Sequence, residues 1–240
     1  YTDVSFKLNF PETRTGSWSL TGLGGLSNIA LLDSKRDSGD LTLGQTYRND
    51  IYNGTHMGVI ILGHQIRINK NVFVRTAASV SYQKRYTQVD SIYNVADKVL
   101  RYGENTSYMN NRIHSFIHAK LNARHSIRAG VIFSSMYTHL QDSVLTDNGS
   151  MRTLRNFDGS NFLLQSYIKW KYLIRSNLTV NAGLHSQHFF MNKETSLEPR
   201  AGLKWQLPNR QSLSAGFGLH SQLQPLEIYY SQIKDPATGI

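Results

Sequence analysis

In residues 196–207, SLEPRAGLKWQL, Leu197, Ala201, Leu203, Trp205 and Leu207 share one parity, and a polar residue or a glycine occupies every position of the other. A strand places successive side chains on opposite faces, so this pattern makes one face oily and the other wet. Half-buried strands of soluble sandwiches also alternate, but they usually run about five or six residues. Here the alternation continues for ten or more, which fits a strand with one face in lipid and the other in water.

The same pattern recurs along the chain. VSFKLNF sets Val4, Phe6, Leu8 and Phe10 against Ser5, Lys7 and Asn9, and SIRAGVIFSSMYTHL aligns Ile127, Ala129, Val131, Phe133 and Tyr137. FLLQSYIKWKY aligns Leu164, Ile168, Trp170 and Tyr172 opposite Gln165, Tyr167, Lys169 and Lys171. The alternation rule gives about ten strands. Breaks between them alternate short (PETRTG, NKN, NAR, LIRSN, PNRQ) and long (residues 30–55, 87–110 and 140–160, then the smaller NKETS and the tail after Gln222). Outer-membrane barrels sort their connections this way, with tight turns facing the periplasm and long loops facing outside. Trp18, Trp170 and Trp205 all fall beside short turns, where an amphipathic ring rests at the headgroup level. Tyr82, Tyr86, Tyr137 and Phe190 are expected to form a second girdle at the other end. The fold expected is all-β: an antiparallel transmembrane β-barrel segment of about ten strands.

Composition narrows the alternatives. A hydrophobic content of 40% with 18% charged residues excludes a disordered chain, and no run of eighteen apolar residues could form a transmembrane helix. There is no cysteine, hence no disulfide framework and no thiolate metal site. The net charge of +10 raises a nucleic-acid reading, but the 26 basic residues are scattered singly among apolar neighbours rather than clustered as a basic arm. No nucleic-acid partner is expected. The chain starts at Tyr1 and already reads as strand by Val4, and it stops at IKDPATGI, which reads as mid-loop. It is therefore expected to be a fragment, with residues 1–240 part of one outer-membrane barrel domain.

SLEPRAGLKWQL followed by QSLSAGFGLHSQLQPLEIYY resembles the barrel of TonB-dependent receptors, in particular the carboxypeptidase-regulatory-like type of Bacteroidetes, in its EPR strand entry, SLSAGFGLHSQ strand and QPL loop entry. DVSFKLNFP and GSWSLTGLGGLS are similar to an earlier hairpin of the same barrels. The resemblance implies a barrel of about 22 strands, of which this is the middle part, without the N-terminal plug domain or the motif that engages TonB. It also implies active import of a scarce, bulky nutrient such as a siderophore, haem, cobalamin or glycan. Implied partners are the lipid bilayer and lipopolysaccharide, the protein's own plug domain, the TonB complex through the missing N-terminal part, and a small nutrient ligand. The competing reading is a small complete outer-membrane barrel with an adhesin or structural role.

Individual residues give little chemistry. No Ser/His/Asp arrangement has a recognisable motif spacing, so the chain is not read as an enzyme and no cofactor is expected. His114 and His118 would share a helical face, but on a strand they lie roughly 13 Å apart, too far to chelate one ion. GLGGLS lacks the Lys-Ser/Thr of a P-loop and the spacing of a dinucleotide turn. The acidic stretch DSKRDSGD, residues 33–40, reads as a solvated loop. Glu198 and Arg200 fall on one face of one strand with Lys204 beyond. With Arg128 and Lys169 they are the lumen-facing candidates: a charge ladder that docks the plug, or a contact for substrate.

Overall fold

The computed structural model describes residues 1–35, 48–94 and 97–230. Ten antiparallel strands form one sheet in sequence order: β1 (Thr2–Thr13), β2 (Gly16–Leu32), β3 (Arg48–Asn69), β4 (Val72–Asn94), β5 (Asp97–Lys120), β6 (His125–Leu145), β7 (Met151–Arg175), β8 (Leu178–Phe189), β9 (Glu194–Gln206) and β10 (Ser212–Gly218). Among the described residues β1 and β10 each pair on one side only, so the sheet is open at both edges.

Register carries one apolar row across β1–β7. Leu8 faces Leu20, Leu20 faces Leu62, and Leu62 faces Ala78, which faces Ile113. The row goes on from Ile113 through Phe133 and Leu164. One-residue slips would send each row to the opposite face, so an apolar surroundings on one side fixes the register throughout. Residues such as Val4, Ile60, Ile113 and Leu197 on this face are more than half exposed. Exposed apolar area of this extent belongs against lipid.

The apolar row has a defined height. On β6 it occupies residues 127–137, and a barrel strand crosses a bilayer in about 9–11 residues. One step above Tyr82, Met109 and Tyr137, the same face turns polar at Lys84, Ser107, His139 and Asp158, which are cross-strand neighbours. Tyr82 and Tyr137 thus mark the upper rim, where Phe162 and Phe190 also meet edge to face at 6.3 Å. At the lower rim the Trp170 ring stacks with His125 and Tyr172, and Trp18 packs against His64 with the rings tilted by 30° and its indole N–H donating to Thr15 Oγ1.

The upper half differs from the sequence reading. Residues 87–110 are not a long loop: β4 and β5 stay paired up to Asn94 and Asp97. Residues 140–160 likewise hold the paired ends of β6 and β7 around a tight tip, where Gly149 adopts φ +79° and Thr146 and Ser150 close the turn. At about 3.3 Å per residue, the 24 residues of β5 extend far beyond a bilayer, so these hairpins project above it. Alternation weakens there because no lipid imposes an apolar parity on the outer face, which is why the segments read as loops. The short lower turns are as expected. In PNRQ both Asn209 (φ 61°) and Arg210 (φ 62°) are left-handed, the conformation a two-residue hairpin turn matching the strand twist requires. Of the acidic stretch 33–40, residues 33–35 form a 3₁₀ turn and the rest lies outside the described residues.

Candidate functional site

The polar face has two unlike halves. After β10 the chain leaves the sheet, and residues 219–230, which include the short helix α1 (Leu226–Tyr229), run back across the upper half as a strap. The Leu219 N–H donates to the Pro199 carbonyl, and Ser221 hydrogen-bonds Gln187 and Ser196. Further along, Tyr229 packs on Phe189 and Tyr230 stacks on Phe157 with centroids 3.5 Å apart. Leu140, opposite Phe157, and Phe189 are only 1% exposed, so the little apolar core of the chain lies here rather than on the lipid side. Tyr108 on β5 donates to Glu227 at 2.5 Å, and Arg85 on β4 lies 3.5 Å from the same carboxylate.

Glu198 anchors the strap. The residue is 2% exposed, and its carboxylate accepts from the Ser221 N–H at 3.2 Å, the Ser221 hydroxyl and Arg200 Nη2 at 2.5 Å, with His185 Nδ1 3.2 Å away. A buried carboxylate is tolerated only when its lone pairs are satisfied in this manner. Two cations of the upper polar face are paired too, Arg85 with Glu104 at 2.6 Å and Arg155 with Asp142 at 2.6 Å.

The lower half is lined by cations. Arg128 and Lys169 are direct cross-strand partners, Lys171 follows on β7, and Lys204 lies on the same face of β9. His118 flanks Arg128 from β5, and His114 bonds the Tyr167 hydroxyl at 3.0 Å. A recess of 810 Å³ opens among these groups, bordered by Arg128, Lys169, Lys171 and Arg200.

All five residues singled out in the sequence therefore occupy the polar face, but in two settings. Glu198 and Arg200 belong to the strap anchor, while Arg128, Lys169 and Lys204 stand in the cationic half. His185, Ser221, Tyr108, Arg85 and Glu227 were not anticipated, because their partnership depends on where residues 219–230 fold. The only hint in the sequence is the apolar and aromatic LEIYY after QLQP, at a place where alternation stops.

No protein-family model and no curated protein matches the chain. Solved structures do. The ferric-catecholate import receptor Fiu of E. coli K12, in its open form, aligns with a TM-score of 0.57 at 10% identity, over 90% of this chain and 40% of the receptor. The outer membrane transporter YddB from Escherichia coli aligns with a TM-score of 0.49 at 10% identity, over 90% of this chain and 38% of the transporter. At that identity the likeness to Fiu shows the fold: a segment of antiparallel β-barrel wall. This chain spans about two-fifths of either protein's length.

Proposed function

We propose that residues 1–240 are part of one outer-membrane barrel domain and form the wall of a TonB-dependent import receptor. The observation that carries this reading is the match between an apolar face of bilayer height, rimmed by aromatic rings, and a polar face with its own buried network. The likeness to Fiu, an import receptor, supports it. In this reading the apolar face meets lipid and lipopolysaccharide, and the polar face lines a lumen shared with a plug domain that the TonB complex moves. The hairpins above the bilayer and the strap lie where a nutrient ligand enters. The EPR, SLSAGFGLHSQ and QPL stretches favour the Bacteroidetes type. A closed ten-strand barrel is disfavoured by the open edges of β1 and β10 among the described residues.

The test is energised uptake. Cells carrying the full-length protein are supplied with candidate nutrients, from ferric siderophores to glycans, with and without a functional TonB complex. Uptake that needs both supports the reading. Passive permeation unaffected by loss of TonB would replace it with a simple pore.

A further inference from the structure

Pro199 decides where the strap begins. The Leu219 N–H donates to the Pro199 carbonyl at 3.1 Å, but proline has no N–H to return, so the β9–β10 ladder stops and the chain leaves the sheet. Beyond that point side chains seat the strap. Its end docks through one carboxylate and two rings. Glu227 accepts from the Tyr108 hydroxyl at 2.5 Å and lies 3.5 Å from Arg85, while Tyr229 packs on Phe189 at 5.3 Å and Tyr230 stacks on Phe157 at 3.5 Å. Every receiving group belongs to β4, β5, β7 or β8 and is placed by the sheet itself: Arg85 is held by Glu104, Thr106 donates to the same carboxylate, and Phe157 lies opposite Leu140. The seat is therefore preformed.

The strap fits this seat incompletely. Asn110 Oδ1, Thr138 Oγ1, Asp142 Oδ1, Asn161 Nδ2 and the Tyr230 hydroxyl are buried with no hydrogen-bond partner among the described residues. Thr138 faces Tyr108, Asp142 faces Glu104, and Asn110 and Asn161 flank Met136 one step along the same face. Buried polar groups left unpaired are costly, and an occupant that supplies donors and acceptors here binds more favourably.

We propose that the seat formed by Tyr108, Arg85, Phe157 and Phe189 is a binding site for a peptide that carries an acidic residue beside aromatic ones, and that residues 226–230, LEIYY, fill it as a pseudo-ligand which such a peptide displaces. The proposal rests on the barrel-wall reading, which makes this face a lumen, and narrows the nutrient to a peptide. The present occupant is itself a peptide whose acid and phenol rings arrive in the order the seat accepts. Main-chain amides of a better-fitting peptide also bring both the donors and the acceptors that the unpaired Asn, Thr and Asp groups call for.

Fluorescence anisotropy of a labelled LEIYY peptide, titrated with the full-length protein in detergent micelles, tests this. The tethered strap competes at an effective concentration on the order of millimolar, so the wild type is expected to bind weakly. A Glu227→Gln, Tyr230→Ala variant loosens the strap and should bind the peptide at least about ten-fold tighter, as expected for loss of a hydrogen bond to a charged group. Adding Tyr108→Phe to that variant, or replacing the peptide's Glu by Gln, should remove the gain. Equal affinity for wild type and variant, or affinity indifferent to Tyr108→Phe, would overturn the proposal, because the peptide then binds elsewhere. In the wild type, saturating peptide should also speed deuterium exchange of residues 219–230, and a peptide with Ala for both Tyr should not. No change there counts against the site, and so does equal release by hydroxyphenylacetate, which would make a small aromatic acid the occupant. TonB-dependent uptake of another nutrient, with the strap indifferent to the peptide, sinks only the peptide site. Peptide binding at the seat without any TonB-dependent uptake sinks the import reading and leaves the site.

Discussion

At the scale of single residues, Glu198 and Asp50 are the buried carboxylates on which local order depends. Glu198→Gln keeps the size and one acceptor but removes the charge that holds Arg200 and the Ser221 donors. Hydrogen bonds to charged groups contribute about 1.5–3 kcal/mol, so amides of residues 219–230 should exchange with deuterium roughly ten- to a hundred-fold faster. Unchanged protection would mean that aromatic packing on Phe157 and Phe189 suffices to hold the strap. Asp50 lies above the bilayer on β3. Burial would raise its carboxyl, but the Lys98 ammonium and the Ser34 N–H and hydroxyl outweigh that and hold it below the usual carboxylate range. A carboxyl depressed on folding stabilises above its unfolded pKa and loses that contribution as pH falls through its folded one. Hydrogen exchange of residues 49–53 is thus expected to be flat from pH 7 down to about 4 after correction for intrinsic rates. Protection should drop in more acidic solution, and Asp50→Asn should abolish the drop.

Elements answer to different constraints on their two faces. On β5, Ile113 points into the apolar face and its neighbour Arg112 into the polar one, where its Nε donates to Ser134. Ile113→Arg places a charge at mid-bilayer, which costs about 2–4 kcal/mol in outer-membrane barrels. Bilayer insertion measured by denaturant titration should weaken by that amount, while Arg112→Gln should change it little. Equal effects at the two positions would contradict the assignment of faces. Gly130 on β6 is a packing requirement: a Cβ there would sit 2.7 Å from both Phe116 Cβ and the Tyr167 hydroxyl oxygen. Gly130→Ala must displace the Tyr167 ring from His114, an overpacking expected to cost about 1–3 kcal/mol in the same titration. These element-level features were legible to different degrees. Alternation in SIRAGVIF and YIKWKY named both faces of β6 and β7, but no sequence pattern shows that Gly130 lies between two rings from other strands.

For the whole molecule, the open edges dominate. β1 carries Val4, Phe6, Leu8 and Phe10, all at least 46% exposed, and its outer backbone groups have no described partner. Unpaired edges combined with an apolar face are a template for association. Residues 1–240 produced alone are expected to aggregate in detergent-free buffer, as read by light scattering. A monodisperse, sheet-rich monomer there would show that the polypeptide closes on itself. The upper hairpins show why loop lengths judged from sequence were too long. Above the bilayer no lipid enforces alternation, yet backbone pairing continues because antiparallel neighbours still satisfy each other's hydrogen bonds.

Sequence by itself determined the strand count, the lipid-facing parity, the short lower turns and the placement of Glu198, Arg200, Lys204, Arg128 and Lys169 on one polar face. All of these follow from a period of two imposed by a one-sided apolar environment, and that information is local. Only the tertiary structure decided that a strap covers the upper part of the polar face and which side chains hold it there. Those contacts join residues up to 119 positions apart, such as Tyr108 and Glu227, and so leave no local periodicity to read.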